Sequence, residues 1–263
     1  MQPSTRPIGA LLRQWRETRR MSQLALALDA SISTKHLSFV ESGRAAPSRE
    51  MVLTLADALA IPLRGRNALL LAAGFAPVYS QHAFDAPELA SARRAVELVL
   101  AGLEPYPAIA VDRHWHLVAA NRAFGPLVAG IAPALLAPPA NVLRASLHPD
   151  GLAPRIVNLA EWRAHVLLRL HQQIEVSADP VLTALYAELG GGPGAPARDH
   201  ADPVATLRLR DGDAVLSLLS TTTVFGTPID VTLSELAIES FLPADAATAG
   251  ALQRRANAPV RAQ

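Results

Sequence analysis

Apolar positions in the first part of the chain recur every three or four residues, which is the spacing of helices that bury one face. Across residues 22–43 this pattern predicts two short helices joined by a tight turn, with Ser22 and Ser33 as their N-caps. The positions predicted to face the core are Leu24, Ala27, Leu28, Leu37 and Val40. Two short, closely connected helices of this kind are typical of a helix-turn-helix.

The outer face of the second helix carries Thr34, Lys35 and Ser38, which are short polar or cationic side chains near the helix N-terminus. A helix-turn-helix places this part of its second helix in the major groove of DNA, where such side chains reach the bases. Lys35 is the only lysine of the chain. The pattern therefore predicts that this helix reads DNA, and the alternative is an ordinary helical bundle with a polar face.

Three further helices complete the predicted N-terminal domain, one over residues 8–20, one starting at Pro47 and one starting at Pro62. Gly43 is a natural stop for the helix before them. Their predicted core positions are Ile8, Leu11, Leu12, Trp15, Val52, Leu55, Ala56, Leu59, Leu63, Leu70 and Leu71. The prediction is an all-α five-helix domain over residues 1–79.

A linker and a helix are predicted over residues 80–103. The stretch 80–87 is polar and carries a proline, and a helix with a short heptad pattern follows it. Its apolar positions are Leu89, Ala92, Val96, Val99 and Leu103. Two interpretations stay open. The helix forms the seam of a dimer, since a helix-turn-helix commonly reads paired half-sites, or it packs on the C-terminal domain of its own chain, which so short a pattern favours.

From residue 104 onward, apolar runs with a strand period alternate with helical segments, which predicts an α+β domain with an antiparallel sheet over residues 104–263. The predicted strands are 108–111, 115–119, 204–209, 214–224 and 231–238. Asn121 is expected to cap a short helix, and Asn158 and Glu161 to form a capping box ahead of a long one. The Gly- and Pro-rich segment 190–203 is predicted to be a loop.

Composition adds two constraints. The chain has no cysteine, which excludes disulfides, thiolate nucleophiles and cysteine-ligated zinc. The formal net charge of +1 combines +5 over residues 1–80, from ten basic and five acidic residues, with −4 over residues 81–263, from fourteen and eighteen. The positive part is the part predicted to contact DNA phosphates. No signal segment and no apolar run of membrane-spanning length is seen, so the protein is expected in the cytoplasm without a membrane partner.

The C-terminal part carries no phosphate-binding loop, no zinc-protease helix and no serine-histidine-acid signature. His148, His165 and His171 are the residues most suggestive of catalysis. His165 and His171 lie six positions apart, off one helical face, which argues against a metal pair. The prediction is no catalytic residue, no metal and no cofactor, with haem and flavin left open by the pattern. An enzyme domain fused to a DNA anchor is a distant alternative.

The run HLSFVESGR…PSREMVL, within residues 21–79, resembles the XRE-type helix-turn-helix regulators, which include the phage repressors. More narrowly, it is similar to the MmyB-like bacterial regulators, in which this domain precedes a PAS-like ligand-binding domain. The run PYPAIAVDRHWHLVAANRAF also resembles the opening strands and first helix of PAS domains. The resemblance implies a transcription factor with a PAS-like sensor that binds a double-stranded DNA operator as a homodimer.

Six residues are predicted to contact DNA, and the resemblance gives roles to most of them. These residues are Gln23, Ser33, Thr34, Lys35, Ser38 and Arg44. Gln23 and Arg44 match positions that contact the DNA backbone, and Thr34 and Lys35 match positions that reach base edges. Glu41 matches an acidic residue with a structural role. Many relatives have glutamine where this chain has Thr34, and threonine cannot read adenine with two hydrogen bonds as glutamine does. The operator sequence is therefore not implied.

For the PAS-like domain, the resemblance implies a cavity that binds a small, largely apolar molecule of the fatty-acid type. The residues expected to bind it are Leu143, Arg144, Leu147, His148, Trp162, Val166 and Leu170. In this hypothesis the apolar side chains line the tail, and Arg144 or His148 meets a carboxylate. Two alternatives stay open: Trp162 and its neighbours are ordinary core, or the domain is only a dimerisation or partner-docking module without a ligand.

Overall fold

The computed structural model describes residues 6–192, 206–226 and 228–257. The chain forms two compact units, each with a core of its own. The first comprises Met1–Gln81, Gln172–Pro180 and Ile229–Val231. The second comprises His82–His171, Val181–Pro228 and Thr232–Gln263.

The N-terminal part of the first unit is all-α, and the predicted helices are confirmed. They are α1 (Ile8–Thr18), α2 (Gln23–Asp29), α3 (Thr34–Glu41), α4 (Arg49–Ala58) and α5 (Leu63–Ala72). Ser22, Ser33 and Ser48 cap α2, α3 and α4 by accepting a hydrogen bond from the backbone N–H three residues on. Each cap satisfies a donor that the first turn of a helix leaves unpaired. Gly43 ends α3 with a φ of 74°, the left-handed conformation that favours glycine.

The core of this unit includes the inner face of α3, where Leu37 and Val40 are fully buried as predicted. Three positions predicted to face the core are instead exposed: Leu24 (59%), Leu28 (70%) and Leu71 (54%). Leu26 and Leu69 are buried in their place. The alternating leucines and alanines of α2 put a leucine on every side of a short helix, so spacing alone did not select the buried side.

Helix α1 packs closely against α3 at Gly9. A Cβ at this position would lie 2.5 Å from the carbonyl oxygen of Val40 and would overlap that of Glu41. Backbone atoms cannot rotate away from such a contact as a side chain can. The close approach of α1 and α3 therefore requires glycine at this position.

Gly9→Ala is expected to lower the free energy of unfolding of this unit by about 1–3 kcal/mol, because the added methyl group overpacks a backbone contact. Gly102→Ala is the matched control, since among the described residues nothing lies within 4 Å of the position of its Cβ. Thermal unfolding followed by circular dichroism compares the two variants. Equal midpoints would contradict the close contact between α1 and α3.

The rest of the chain supplies the remaining helices and all the strands that the structure describes. The helices are α6 (Ala90–Gly102), α7 (Phe124–Leu127), α8 (Pro133–Leu136), α9 (Val142–Leu147), α10 (Leu159–Ser177), α11 (Pro180–Glu188), α12 (Val231–Ser234) and α13 (Ala246–Asn257). Short 3₁₀ helices span Pro87–Leu89 and Ala153–Arg155. Across the described ranges, no helix has both the length and the apolar content needed to cross a membrane.

The strands form one five-stranded antiparallel sheet, which confirms the predicted α+β class. They are β1 (Ala108–Val111), β2 (Leu117–Ala120), β3 (Thr206–Asp211), β4 (Ala214–Val224) and β5 (Ala237–Pro243). The strand order is β2-β1-β5-β4-β3. The last strand along the chain, β5, therefore lies at the centre of the sheet, where it pairs with β1 and β4.

The predicted first residue of the last strand was wrong. Residues 231–238 were predicted as a strand, but Val231–Ser234 form α12 and β5 begins at Ala237. The partners of β5 explain the shift, because Ala237 is the first residue to pair with both Val111 of β1 and Val224 of β4. Of the predicted loop 190–203, residues from 193 onward lie outside the described residues.

Two asparagines predicted to cap helices instead join separate elements. Asn121 Oδ1 accepts a hydrogen bond from the Ala108 N–H at 3.1 Å, and its Nδ2 donates to the Leu100 carbonyl at 3.1 Å. This links β1 to the end of α6. Asn158 does not form the predicted capping box: its Nδ2 donates to the Glu161 side chain at 3.0 Å, and its Oδ1 accepts from the N–H of Arg208 on β3 at 3.0 Å. A buried amide can satisfy groups on several elements at once, which local spacing does not reveal.

Helix α6 packs on the sheet of its own chain. Val96 and Leu100 are buried in a cluster with sheet residues such as Ala108 and Ile238. This is the intramolecular alternative for the predicted heptad pattern. Val99, also part of that pattern, is 39% exposed.

Candidate functional site

The first candidate site is the outer surface of α3. Lys35 is exposed, and Thr34 and Ser38 are half-buried, whereas the opposite side of the helix lies in the core. A helix held in this way presents the side chains of its first two turns to a partner while its back is fixed. This is the arrangement by which a helix-turn-helix enters a major groove.

Two cations meet at Phe39 beside this surface. The Lys35 Nζ lies 5.7 Å from the centroid of the Phe39 ring, and the Arg44 guanidinium lies 5.6 Å from it. Arg44 follows α3 on an exposed turn, as predicted. Both distances fall within the range of a cation–π contact. Phe39 therefore holds two positive charges on one side of α3, where a phosphate backbone would be attracted.

A buried carboxylate, Glu41, ties α3 to α1 and α2. Arg16 on α1 donates to both oxygens of Glu41, from Nε at 2.7 Å and from Nη2 at 2.9 Å. Gln23 on α2 donates from Nε2 at 2.8 Å. Burial raises the pKa of Glu41, but the hydrogen bonds from Arg16 and Gln23 outweigh burial, so the pKa lies below its ordinary value. The charged carboxylate sets the position of α3 within the unit.

The second candidate site is a cavity of about 60 Å³ in the second unit, between the sheet and helices α7 to α10. Its apolar lining residues are Ile109, Leu117, Phe124, Leu127, Val128, Leu135, Leu136, Ala140, Val142, Leu143, Ala145, Leu152, Val166, Leu207 and Phe241. A mostly apolar wall with a few placed polar groups is the usual form of a small-molecule site.

The lining of the cavity includes a pair of opposite charges. Arg169 on α10 donates to both oxygens of Glu239 on β5, at 2.9 Å from Nη1 and 2.7 Å from Nη2. Thr222 Oγ1 accepts from Arg169 at 2.7 Å and donates to Glu239 at 2.9 Å. The guanidinium also lies 4.9 Å from the centroid of the Trp115 ring. Since the Glu239 side chain is 3% exposed, its charge is balanced by Arg169 rather than by water.

His165 carries the one buried polar atom of the lining that lacks a hydrogen-bond partner in the described part of the chain. Its Nε2 is buried and makes no hydrogen bond to any described residue. Its ring lies 5.4 Å from that of Trp162, whose Nε1 donates to Ser146 Oγ at 2.9 Å. Burial lowers the pKa of His165, the charge of Arg169 lowers it further, and Glu239 opposes them weakly. Burial and Arg169 therefore favour the neutral form of the imidazole.

The residues predicted to line a ligand tail divide into two groups. Leu143, Trp162 and Val166 line the cavity. Leu147 and Leu170 are buried, but they are outside the lining.

The two cations predicted to meet a carboxylate lie outside this cavity. Arg144 pairs with Glu188, with Nε 2.6 Å from Oε1, and both side chains are nearly half exposed. His148 is exposed, and its Nδ1 accepts a hydrogen bond from the Asp150 N–H at 3.0 Å. The structure thus leaves the predicted head-group contacts on the surface, where each already has a partner.

Sequence reasoning missed the charged and histidine side chains of the cavity lining. His165 was predicted to be neither catalytic nor metal-binding, and the predicted ligand contacts do not include His165, Arg169 or Glu239. A signal was available, because His165 and Arg169 fall on the same helical stripe as Trp162 and Val166. Glu239 is also an acidic residue in the middle of an apolar strand, where an unpaired charge would be costly.

Among the described residues, one group of metal-binding side chains lies close together: Asp112, His114 and His116, with ligand atoms within 4.8 Å of one another. Asp112 Oδ1 accepts from the backbone N–H of both histidines at 2.8 Å. Its Oδ2 lies 3.0 Å from His116 Nδ1. Because both carboxylate oxygens stabilise the turn between β1 and β2, we assign this group to the turn.

Comparisons with known proteins match both parts of the chain. Residues 92–254 match the family described as MmyB-like transcription regulator ligand binding domain, and residues 7–69 match the family described as helix-turn-helix domain. No curated protein matches the chain. A solved chain titled "Structure of an RNA-binding Light-Oxygen-Voltage Receptor" is 14% identical, with a TM-score of 0.28, over 97% of this chain and 64% of that one. This chain thus spans less than two thirds of that protein, and so weak a likeness carries no argument.

Proposed function

The chain belongs to the MmyB-like transcription regulators, and on this premise we propose that it is a dimeric regulator whose operator binding responds to a small, largely apolar ligand. The observation that carries the proposal is the apolar cavity, with its unpartnered histidine nitrogen, inside the part that matches a ligand-binding family. We further propose that the protein acts in the cytoplasm and has no catalytic activity. The proposed division is a DNA-binding domain over residues 1–79, a linker and helix over 80–103 and a sensor over 104–263.

In this proposal α3 reads the operator from the major groove. Thr34 and Lys35 reach base edges, and Ser38 lies one turn further along. Gln23 and Arg44 contact the DNA backbone, as does Ser33 at the helix N-terminus. The support is the exposure of Lys35, the cations held at Phe39 and the positive charge of the first 80 residues.

Lys35→Ala is expected to weaken operator binding by about 1–3 kcal/mol, or roughly 5- to 150-fold, because it removes a cation from the reading surface. Operator fragments selected from a random DNA pool with the wild-type protein supply the probe, and fluorescence anisotropy at several salt concentrations supplies the affinity. A uniform loss with a smaller salt slope identifies a phosphate contact, whereas a loss at particular bases identifies a base contact.

Arg122→Ala is the matched control for charge, since it removes one cation from the second unit at a side chain that is 91% exposed. Its operator affinity is expected to equal that of the wild type. If both variants lose affinity equally, long-range charge rather than α3 would account for binding, and the assignment of α3 as the reading helix would fail.

The ligand is proposed to be small. The cavity, at about 60 Å³, is smaller than the roughly 150 Å³ cavity that admits benzene in an engineered protein core. A full fatty-acid tail would therefore require the lining to move. Leu143, Trp162 and Val166 are the proposed tail contacts because they lie in the lining.

Ligand control is proposed to act as a population shift between dimer arrangements. A ligand that binds one arrangement better changes the separation of the two α3 helices, and with it the fit to paired half-sites. The mechanism requires a dimer and a bound molecule. Native mass spectrometry of the purified chain tests both requirements, because it reports the subunit number and any bound molecule together. A dimer that releases a stoichiometric small molecule supports a sensor. An empty dimer that binds the operator but responds to no metabolite favours the alternative of a dimerisation or docking module.

A further inference from the structure

Among the described residues, the buried polar side-chain atoms of the cavity lining have hydrogen-bond partners, with one exception. Arg169 and Glu239 form their ion pair, and Ser146 accepts a hydrogen bond from Trp162. The exception among the described residues is Nε2 of His165, which is buried without a partner. Leaving such an atom unpaired costs free energy, so a ligand group that reached this nitrogen would gain a hydrogen bond.

The state of His165 narrows the kind of group that fits. A neutral imidazole carries its proton on one of two nitrogens, so Nε2 either donates or accepts a hydrogen bond according to the tautomer. A hydroxyl group matches both tautomers because it carries a donor and acceptors. A carboxylate accepts only, so it matches one tautomer.

The charges of the lining restrict the chemical group of the ligand further. Arg169 and Glu239 are the arginine and the carboxylate of the lining, and their charges balance each other. A carboxylate entering the cavity would leave water and approach the buried charge of Glu239, and the arginine of the lining, Arg169, is already paired with that residue. Taking an uncompensated charge out of water is costly, whereas a hydroxyl group brings no charge.

We infer that the ligand of this cavity is an uncharged, largely apolar alcohol, and that its hydroxyl group bonds Nε2 of His165. The inference rests on the proposed function, in which the cavity holds the ligand of the regulator. The proposed ligand differs from the fatty acid expected from the sequence in its head group: the alcohol carries no charge, whereas the fatty acid carries a carboxylate.

The test compares straight-chain alcohols from butanol to octanol with the carboxylates of the same chain length, butanoate to octanoate. Isothermal titration calorimetry with the full-length protein at pH 7 measures both series. At the chain length that binds best, the alcohol is expected to bind at least about tenfold more tightly than its carboxylate. Because each pair shares one tail, the comparison isolates the head group.

His165→Phe is expected to weaken binding of the best alcohol by about 3- to 10-fold, since a ring of similar shape loses the hydrogen bond. His148→Phe is the matched control, because the same exchange is made at an exposed histidine outside the cavity, and it is expected to leave binding unchanged. If His165→Phe does not fold, the imidazole nitrogen NMR signal of His165 in the wild type provides the readout and is expected to shift on adding the alcohol.

Tighter binding of the carboxylate would overturn the inference and leave ligand sensing in place. The inference would also be overturned if the affinity for the alcohol is the same in His165→Phe as in the wild type and the nitrogen signal of His165 does not shift when the alcohol is added. If neither series binds, the inference fails. Native mass spectrometry of the purified chain then decides separately whether the cavity holds another molecule, so a wrong ligand class and the absence of a ligand are told apart.

Discussion

Replacing Glu41 by alanine is expected to lower the free energy of unfolding of the helix-turn-helix by about 3–5 kcal/mol. The Glu41 side chain is 4% exposed and that of Arg16 is 11% exposed, so the substitution leaves a buried guanidinium without its carboxylate. It also removes the acceptor of Gln23, so α1 and α2 both lose their hydrogen bonds to α3. Amide hydrogen exchange in α1, α2 and α3 measures the loss within this unit.

Two comparisons make this expectation specific. The double variant Arg16→Met with Glu41→Leu removes both charges, and it is expected to recover most of the stability because no charge stays buried without a partner. Glu17→Ala removes the exposed partner of Arg13 on the same helix and is expected to change exchange little. If Glu41→Ala behaves like Glu17→Ala, then Glu41 does not hold the unit together.

The lowered pKa of Glu41 adds a pH dependence with a defined sign. A carboxyl whose pKa is lower in the folded state stabilises the fold above its unfolded pKa, and this contribution is lost as the pH falls through the folded value. The stabilisation is therefore present at neutral pH and disappears below the ordinary value of 4.5. The Arg16→Met and Glu41→Leu double variant is expected to lack this part of the acid sensitivity.

Arg169→Met is expected to destabilise the second unit by about 3–5 kcal/mol, because it leaves the Glu239 carboxylate buried beside the cavity without a cation. The methionine keeps much of the volume, so the loss reports charge rather than packing. Urea unfolding monitored by exchange of the β5 amides gives the free energy. Binding of any cavity ligand is expected to weaken in the same variant, since Arg169 also lies over Trp115 in the lining.

Adding Glu239→Gln to Arg169→Met restores charge balance and is expected to recover a large part of the lost stability. Arg122→Met serves as the control, because it removes an arginine whose side chain is 91% exposed, and it is expected to have no measurable effect. An Arg169→Met variant as stable as Arg122→Met would show that water reaches Glu239, and the argument for an uncharged ligand would lose its electrostatic basis.

Local sequence signals predicted most of the helix-turn-helix. Ser22 and Ser33 cap helices at the predicted residues, and Gly43 ends α3 with the backbone conformation that glycine favours. These features depend on side chains within a few residues of the backbone groups that they satisfy, so spacing is enough to find them. The buried face of α2 was not found in this way, because Leu24 and Leu26 look equivalent until a neighbouring helix covers one of them.

The candidate sites also divide into features that local sequence predicts and features that depend on the tertiary structure. By itself, the sequence determined the two-part organisation, the polar outer face of α3 and the apolar stripe of Trp162 and Val166. Each of these features depends on the spacing of residues that are close together in the chain. The tertiary structure decided which charges meet. It joined Arg169 to Glu239 across 70 positions, and it buried Nε2 of His165 where no described residue bonds it. The physical reason is that desolvation and pairing depend on what surrounds a side chain in space, and no local pattern contains that information.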